Sequence, residues 1–267
     1  MGRFTPMNVL FDTGSDWVVI EDVNCETCEG NKYDAKQGQK ISKDISERAY
    51  GTVFFKGHVY SDTICIQLSA CVSDFEYFAI EEQVGLREPI DGILGLARGL
   101  NTFQLGEASV NTTKSYVTAM KEEGLIDKET FSFYFNNLDS SYVDFGQYQE
   151  TSTTGEIKYI NTLDDFFWSL ENTAVAFGES PDDKALRYKE PVYTIIDTSS
   201  PTISISADYF DKYVDAIFSK VKGNDYQVEQ GQVLTQCDYE FPNLYFMFGD
   251  YWVEVRPDEY VLDVSEN

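Results

Sequence analysis

Two short stretches of the chain repeat one pattern. Val9-Leu10-Phe11-Asp12-Thr13-Gly14-Ser15 and Thr194-Ile195-Ile196-Asp197-Thr198-Ser199-Ser200 each run three residues into an Asp-Thr and on into small residues, with the aspartates 185 residues apart. Self-similarity of this kind marks a duplicated architecture. One Asp-Thr-Gly behind an apolar run is an ordinary turn, because small polar residues turn the chain and Asp caps the turn. Two copies at this separation suit two lobes, each presenting its loop at a shared cleft. Thr151-Ser152-Thr153-Thr154-Gly155 reads as a linker or turn. The expected division is therefore an N-terminal lobe of residues 1–150 carrying Asp12 and a C-terminal lobe of residues 151–267 carrying Asp197.

The rest of the chain reads as a mainly β protein. Short apolar segments rich in Val, Ile, Phe and Tyr recur between Gly, Asn, Asp and Ser turns, for example at residues 8–11, 17–20, 52–60, 63–68 and 131–135. Two segments have helical spacing instead. From Ala207 to Val221 the apolar residues form one stripe with a period near 3.6, with Ser206 placed to cap and Gly223 to stop. A shorter helix is expected from Thr113 to Glu123, ended by Gly124.

The 46 acidic and 20 basic residues give a formal net charge of −26, which repels phosphate backbones and anionic lipid surfaces. Nucleic acid is thus not an expected partner. No stretch of the sequence is long and apolar enough for a membrane span, and the first eight residues lack the apolar core of a secretory signal. Such charge serves solubility, or it suits an acidic compartment in which many of the carboxylates are protonated.

The five cysteines, at positions 25, 28, 65, 71 and 237, fall into two close pairs and one single residue. Cys25-Glu26-Thr27-Cys28 has the spacing of a redox motif or a zinc half-site. A zinc site needs further ligands, and the chain has one histidine, His58, and no second such pair. Two local disulfides, Cys25–Cys28 and Cys65–Cys71, formed in an oxidising compartment, are the better reading. His58, on a strand, is expected to be solvated and to have no catalytic role.

Paired aspartates carry a specific chemistry. Two carboxyl groups in contact resist simultaneous ionisation, so one keeps its proton while the other stays charged. Such a pair can take a proton from a bound water while giving one to the carbonyl oxygen that the water attacks. No covalent intermediate, metal or cofactor is required. Gly14 lets the backbone amides approach the carboxylate, and the Ser15 hydroxyl can hold its outer oxygen.

In these residues the chain resembles the pepsin-like aspartic proteases. Phe11-Asp12-Thr13-Gly14-Ser15, followed by Trp17, is similar to the family's first catalytic loop. Asp91-Gly92-Ile93-Leu94-Gly95-Leu96-Ala97 resembles the segment that packs behind that loop. Tyr50-Gly51-Thr52, with Gly57 and Asp62-Thr63, resembles the flap hairpin that closes over substrate. Tyr142-Val143-Asp144-Phe145-Gly146 and Trp168 also fall where similar segments occur, so the resemblance covers essentially the whole chain.

The resemblance implies a bilobal acid-protease fold with a substrate cleft between the lobes. It implies a monomeric endopeptidase acting on polypeptide at acidic pH, with Asp12 and Asp197 catalytic. Gly14, Tyr50, Gly51, Thr52 and Ser199 would meet substrate, and Ser15 and Ser200 would support the dyad. It also implies a secretory, lysosome-like, vacuolar or extracellular location, where Asn111-Thr112-Thr113 is a glycosylation acceptor.

The chain departs from the pattern in three ways. Ser199 stands where the family's second loop has glycine; if a glycine-only backbone angle is needed there, serine strains the loop or displaces the carboxylate. The chain starts close to its first catalytic loop, and it reaches Asn267 without a second-lobe counterpart of Ile93-Leu94-Gly95. The expectation is truncation at both ends, with the partner of Cys237 just beyond residue 267; the alternative is a free, buried Cys237. A protein that binds peptide without cleaving it, or an incomplete gene product, is compatible with the same residues.

Overall fold

The computed structural model describes residues 5–51, 53–87, 89–99, 103–105, 108–110, 114–136, 140–153, 155–181, 185–222 and 225–264. The chain forms two compact units. The first comprises Met1–Ile157, Asp164–Trp168 and Ile195–Ser199; the second comprises Lys158–Leu163, Ser169–Thr194 and Ser200–Asn267. A division at residue 150 assigns residues 195–199 to the second unit, whereas their contacts assign them to the first.

The first unit is built on a seven-stranded mixed sheet. Its strands are β1 (Val9–Asp12), β2 (Val18–Glu21), β3 (Gln39–Lys40), β4 (Ser46–Tyr50), β5 (Val53–Gln67), β6 (Ala70–Val84) and β7 (Gly92–Gly95). The order is β1-β7-β2-β6-β5-β3, with β4 paired to β5. β7 is parallel to β1 and antiparallel to β2, so it is covered on both edges as well as both faces. Every residue of β2 and β7 is buried, which is why both read as continuous apolar runs rather than as alternation. A Cβ on Gly95 would lie 2.5–2.7 Å from backbone atoms of Asp16 and Trp17, so only glycine lets these segments close.

The sequence segments at residues 52–60 and 63–68 are one strand. The Asp62-Thr63 break between them is a β-bulge in the β5–β6 ladder, not a strand end. Asp62 accepts hydrogen bonds from the Tyr33 hydroxyl and the Thr63 amide. Cys65 and Cys71 face each other across this hairpin and are joined by a disulfide. Cys25 and Cys28 form the other disulfide. Its sulfurs pack in a core with Trp17, Val19, Phe55, Phe78, Ile80 and Ile93. A second core in the same unit gathers Val18, Ile20, Tyr33, Tyr77, Leu94, Leu96 and Tyr116.

The short helix α1 (Tyr116–Glu122) packs Tyr116, Val117, Ala119 and Met120 inward and stops before Gly124, whose φ of +72° suits glycine. Thr113, the expected start, lies outside the described residues.

The second unit holds a four-stranded sheet ordered Leu186–Ile195, Ser169–Gly178, Asn243–Phe248, Tyr251–Val255. On it lies α2 (Ala207–Phe218), whose Tyr213 packs with Val175, Phe177 and Leu244. The helix follows Ser206 as expected and ends three residues short of Val221, which is itself buried. Gly223 lies outside the described residues. Cys237 is a free, exposed thiol, so the buried alternative does not hold. Among the described residues no helix is long and apolar enough to cross a membrane.

Candidate active site

Asp12 ends β1 and is 3% exposed. Its loop is held from behind by the last residue of β7 and the two that follow it. Leu96 N–H donates to the Asp12 carbonyl at 2.7 Å, Ala97 N–H to the Ser15 carbonyl at 2.8 Å, and Gly95 N–H to Trp17 at 3.0 Å. The Asp91-to-Ala97 segment thus supports this loop by backbone bonds that any side chains could make; its glycines let it approach closely enough to make them. Further back, buried Asp91 accepts from the amides of Asn8 and Asn31, each at 2.6 Å, and buried Glu21 accepts from Gly30 at 3.0 Å.

The second aspartate loop, within Ile195–Ser199, belongs to the same compact unit. Four hydrogen bonds lock the loops together reciprocally. Thr13 N–H donates to Thr198 Oγ1 at 3.1 Å, and Thr198 N–H donates to Thr13 Oγ1 at 3.0 Å. The Thr13 hydroxyl donates to the Ile196 carbonyl at 2.7 Å, and the Thr198 hydroxyl to the Phe11 carbonyl at 2.6 Å. Each threonine oxygen accepts once and donates once, so neither hydroxyl is left unmatched. From the second loop Ile196 N–H donates to the Trp168 carbonyl at 3.0 Å, and the Trp168 indole donates to the Leu96 carbonyl at 2.8 Å. The indole therefore ties the second loop to the segment that supports the first. Nothing in the sequence signalled that role beyond the position of Trp168.

This lock brings the carboxylates into each other's field. Burial raises the Asp12 pKa, and the charge of Asp197 raises it further, while hydrogen bonds from Ser15, Gly14 and Ser199 offset part of the rise. Gly14 N–H donates to Asp12 Oδ1 at 2.7 Å, and the Ser15 hydroxyl bonds to Oδ2. A Cβ at Gly14 would lie 2.7 Å from Asp197 Oδ2 and 2.9 Å from Oδ1. Glycine is required at 14 because the opposite carboxylate occupies the space of a side chain.

The second loop differs. Ser199 N–H donates to Asp197 Oδ1 at 2.9 Å, and the Ser199 hydroxyl donates to the same oxygen at 2.7 Å. The Ser200 hydroxyl instead donates to the carbonyl of Thr202 at 2.9 Å. The hydroxyl that holds Asp197 thus comes from Ser199, where the sequence pattern named Ser200. Ser199 is also not among the non-glycine residues of positive φ, which are Asp74 and Gln230 among the described residues. The expected backbone strain is absent, because this loop turns without a glycine-only angle.

Tyr50 closes β4 and pairs with Val53 across a tight hairpin whose Gly51 has φ +57°. Its ring packs on Phe55, with centroids 6.0 Å apart. Its hydroxyl is buried without a hydrogen-bond partner among the described residues. Burial raises its pKa, as do the charges of Asp16 and Asp12, while the Arg48 guanidinium offsets part of the rise. Arg48, two residues earlier on the same face, places its guanidinium 4.2 Å over the Trp17 ring and 5.0 Å over Phe78. Sequence reasoning passed over Arg48; its spacing from Tyr50 was the available signal. His58 is not solvated as expected but half-buried, with Nδ1 2.7 Å from Glu81. Thr52 and Asn111 lie outside the described residues.

The family model for eukaryotic aspartyl proteases matches residues 5–267. The chain is 29% identical over 270 residues to vacuolar protease A of Aspergillus fumigatus, covering 96% of this chain and 63% of that protein. It is 24% identical to gastricsin of Callithrix jacchus, covering 95% and 64%. It is 22% identical to cathepsin D of Mus musculus, covering 97% and 65%. The chain thus spans a little under two thirds of the length of these relatives. With two Asp-Thr loops interlocked and a family match running through both, the chain belongs to the eukaryotic aspartyl protease family.

Proposed function

We propose that the protein is an endopeptidase in which Asp12 and Asp197 hydrolyse peptide bonds through an activated water. The observation that supports the reading is the reciprocal Thr13–Thr198 lock, which ties the two aspartate loops to each other, with Asp12 buried in the first of them. In this reading Asp12, its pKa raised, holds the shared proton, and Asp197 is the base. Asp197 takes a proton from water as the water oxygen bonds to the peptide carbon, and Asp12 gives its proton to the carbonyl oxygen. The tetrahedral diol then collapses: the C–N bond breaks, the amine leaves with the proton held by Asp197, and a hydroxyl proton returns to Asp12. The hairpin that pairs Tyr50 with Val53 would cover the polypeptide during these steps.

Acidic conditions fit the shared proton, and the two disulfides fit the secretory route. The name of the Aspergillus fumigatus relative, vacuolar protease A, points the same way. The test is cleavage of an unfolded protein substrate between about pH 3 and 7 in isotope-labelled water. We expect activity on the acid side, label in the new carboxyl groups, and no acyl-enzyme trapped by an added amine. Trapping of an acyl-enzyme, or no cleavage at any pH, overturns the reading.

A further inference from the structure

We propose that the Ser199 hydroxyl occupies the seat between the two carboxylates in which a hydrolytic dyad holds its attacking water, so that the resting dyad is closed by its own side chain. The proposal rests on the hydrolytic reading above.

Gly14 and Ser199 each stand two residues after their aspartate, and each donates its amide to Oδ1 of that aspartate. The two Oδ1 atoms are therefore counterparts. On the first loop the counterpart position carries no side chain, and the opposite carboxylate lies where one would be. On the second loop a side chain is present, and its hydroxyl donates to Asp197 Oδ1 at 2.7 Å.

A hydroxyl placed this way has what a water needs there. It donates one hydrogen to a charged carboxylate and can accept one from a protonated carboxyl. Two oxygens cannot share the place, so water enters only when Ser199 rotates about χ1 and gives up its bond to Asp197. The backbone at Ser199 carries no positive φ, so the residue can stay seated without strain and acts as a standing competitor of the nucleophile.

The experiment compares the full chain with Ser199→Gly and Ser199→Ala, the latter keeping the Cβ and losing only the hydroxyl. We expect kcat to rise by about tenfold or more in both, with KM changed by less than about twofold, since the seat matters to the reacting water and not to the bound peptide. A kcat that is unchanged or lower in both variants overturns the proposal. A second readout does not depend on turnover: the binding of a peptide whose scissile carbonyl is replaced by a secondary alcohol, against its deoxy counterpart. In the unaltered protein the two should bind alike, because the alcohol finds its place taken. In both variants the alcohol should bind about tenfold tighter or more. If the unaltered protein already prefers the alcohol as strongly as the variants do, Ser199 does not hold the seat. If no protein of the set cleaves peptide, the hydrolytic reading fails, while the peptide pair still decides where the Ser199 hydroxyl sits.

Discussion

The two aspartate loops start from one pattern and end with different wiring. In the first, both oxygens of Asp12 are held by separate donors: the amide two residues on takes Oδ1, and the hydroxyl three residues on takes Oδ2. In the second, amide and hydroxyl both come from Ser199 and both reach Oδ1 of Asp197. The threonines between them are interchangeable in their bonds. The lesson is that the lock is symmetric while the carboxylates it holds are not. A residue that fits one loop without strain is therefore forbidden at the equivalent position of the other.

The largest expected effect separates the aspartates from everything else. Asp12→Asn should lower kcat by on the order of a thousandfold or more, because it removes the shared proton while keeping the side chain's shape. Its thermal unfolding should change little, since burial already favours a neutral group at this position. Asp197→Asn should match it in activity. A folded Asp12→Asn protein with full peptidase activity breaks the paired mechanism.

The next effect probes the asymmetry at the glycine. Gly14→Ala puts a Cβ within 2.7 Å of Asp197 Oδ2, so the carboxylate must move. Activity should fall about a hundredfold and stability by about 1–3 kcal/mol in urea unfolding. Ser199→Ala, at the equivalent position, should change stability by less than about 1 kcal/mol. Equal stability costs at the two positions would contradict the close approach at Gly14.

The lock itself makes a symmetric prediction. Thr13→Val and Thr198→Val each remove one acceptor and one donor, and each should cost about 1–3 kcal/mol. The double variant should cost less than their sum, because the two hydroxyls take part in one network. Single costs differing by more than about 1 kcal/mol, or a strictly additive double variant, would show that the lock is not reciprocal in energy.

The smallest effect lies in the core behind the first loop. Burial raises the pKa of Glu21, and the neighbouring Asp91 raises it further. A carboxyl raised in the folded state contributes stability that is fully present below its unfolded pKa and is lost as pH rises through its folded pKa. Glu21→Gln should therefore leave stability below about pH 4 unchanged and reduce the loss seen between there and neutrality, by under about 1 kcal/mol. An identical pH dependence in variant and parent would remove Glu21 from the account.

Several features could be read without coordinates because they depend on local periodicity or on residue type alone. The stripe from Tyr209 to Val221 makes a helix wherever it is packed, and α2 follows Ser206. Cysteines three and six residues apart come within bridging reach wherever the chain turns between them, and both pairs are joined. The repeated Asp-Thr marked the two loops that interlock, because a duplicated pattern persists in the sequence after the rest of a repeat has diverged. Asp62-Thr63 looked like a strand end because a bulge and a turn use the same residues.

Tertiary structure alone decided the remainder, and always for the reason that the decisive neighbour is far away in sequence. β1 meets β7, not β2, since a parallel partner must come from a distant segment. Residues 195–199 join the first unit through bonds to residues 11–13, against the order of the chain. Gly14 is needed for a carboxylate on another loop, and the Ser199 hydroxyl, rather than that of Ser200, reaches Asp197. The sequence by itself determined which residue types stand in the two loops. Which oxygen each hydroxyl faces depends on how the loops are pressed together, and a linear pattern does not encode that geometry.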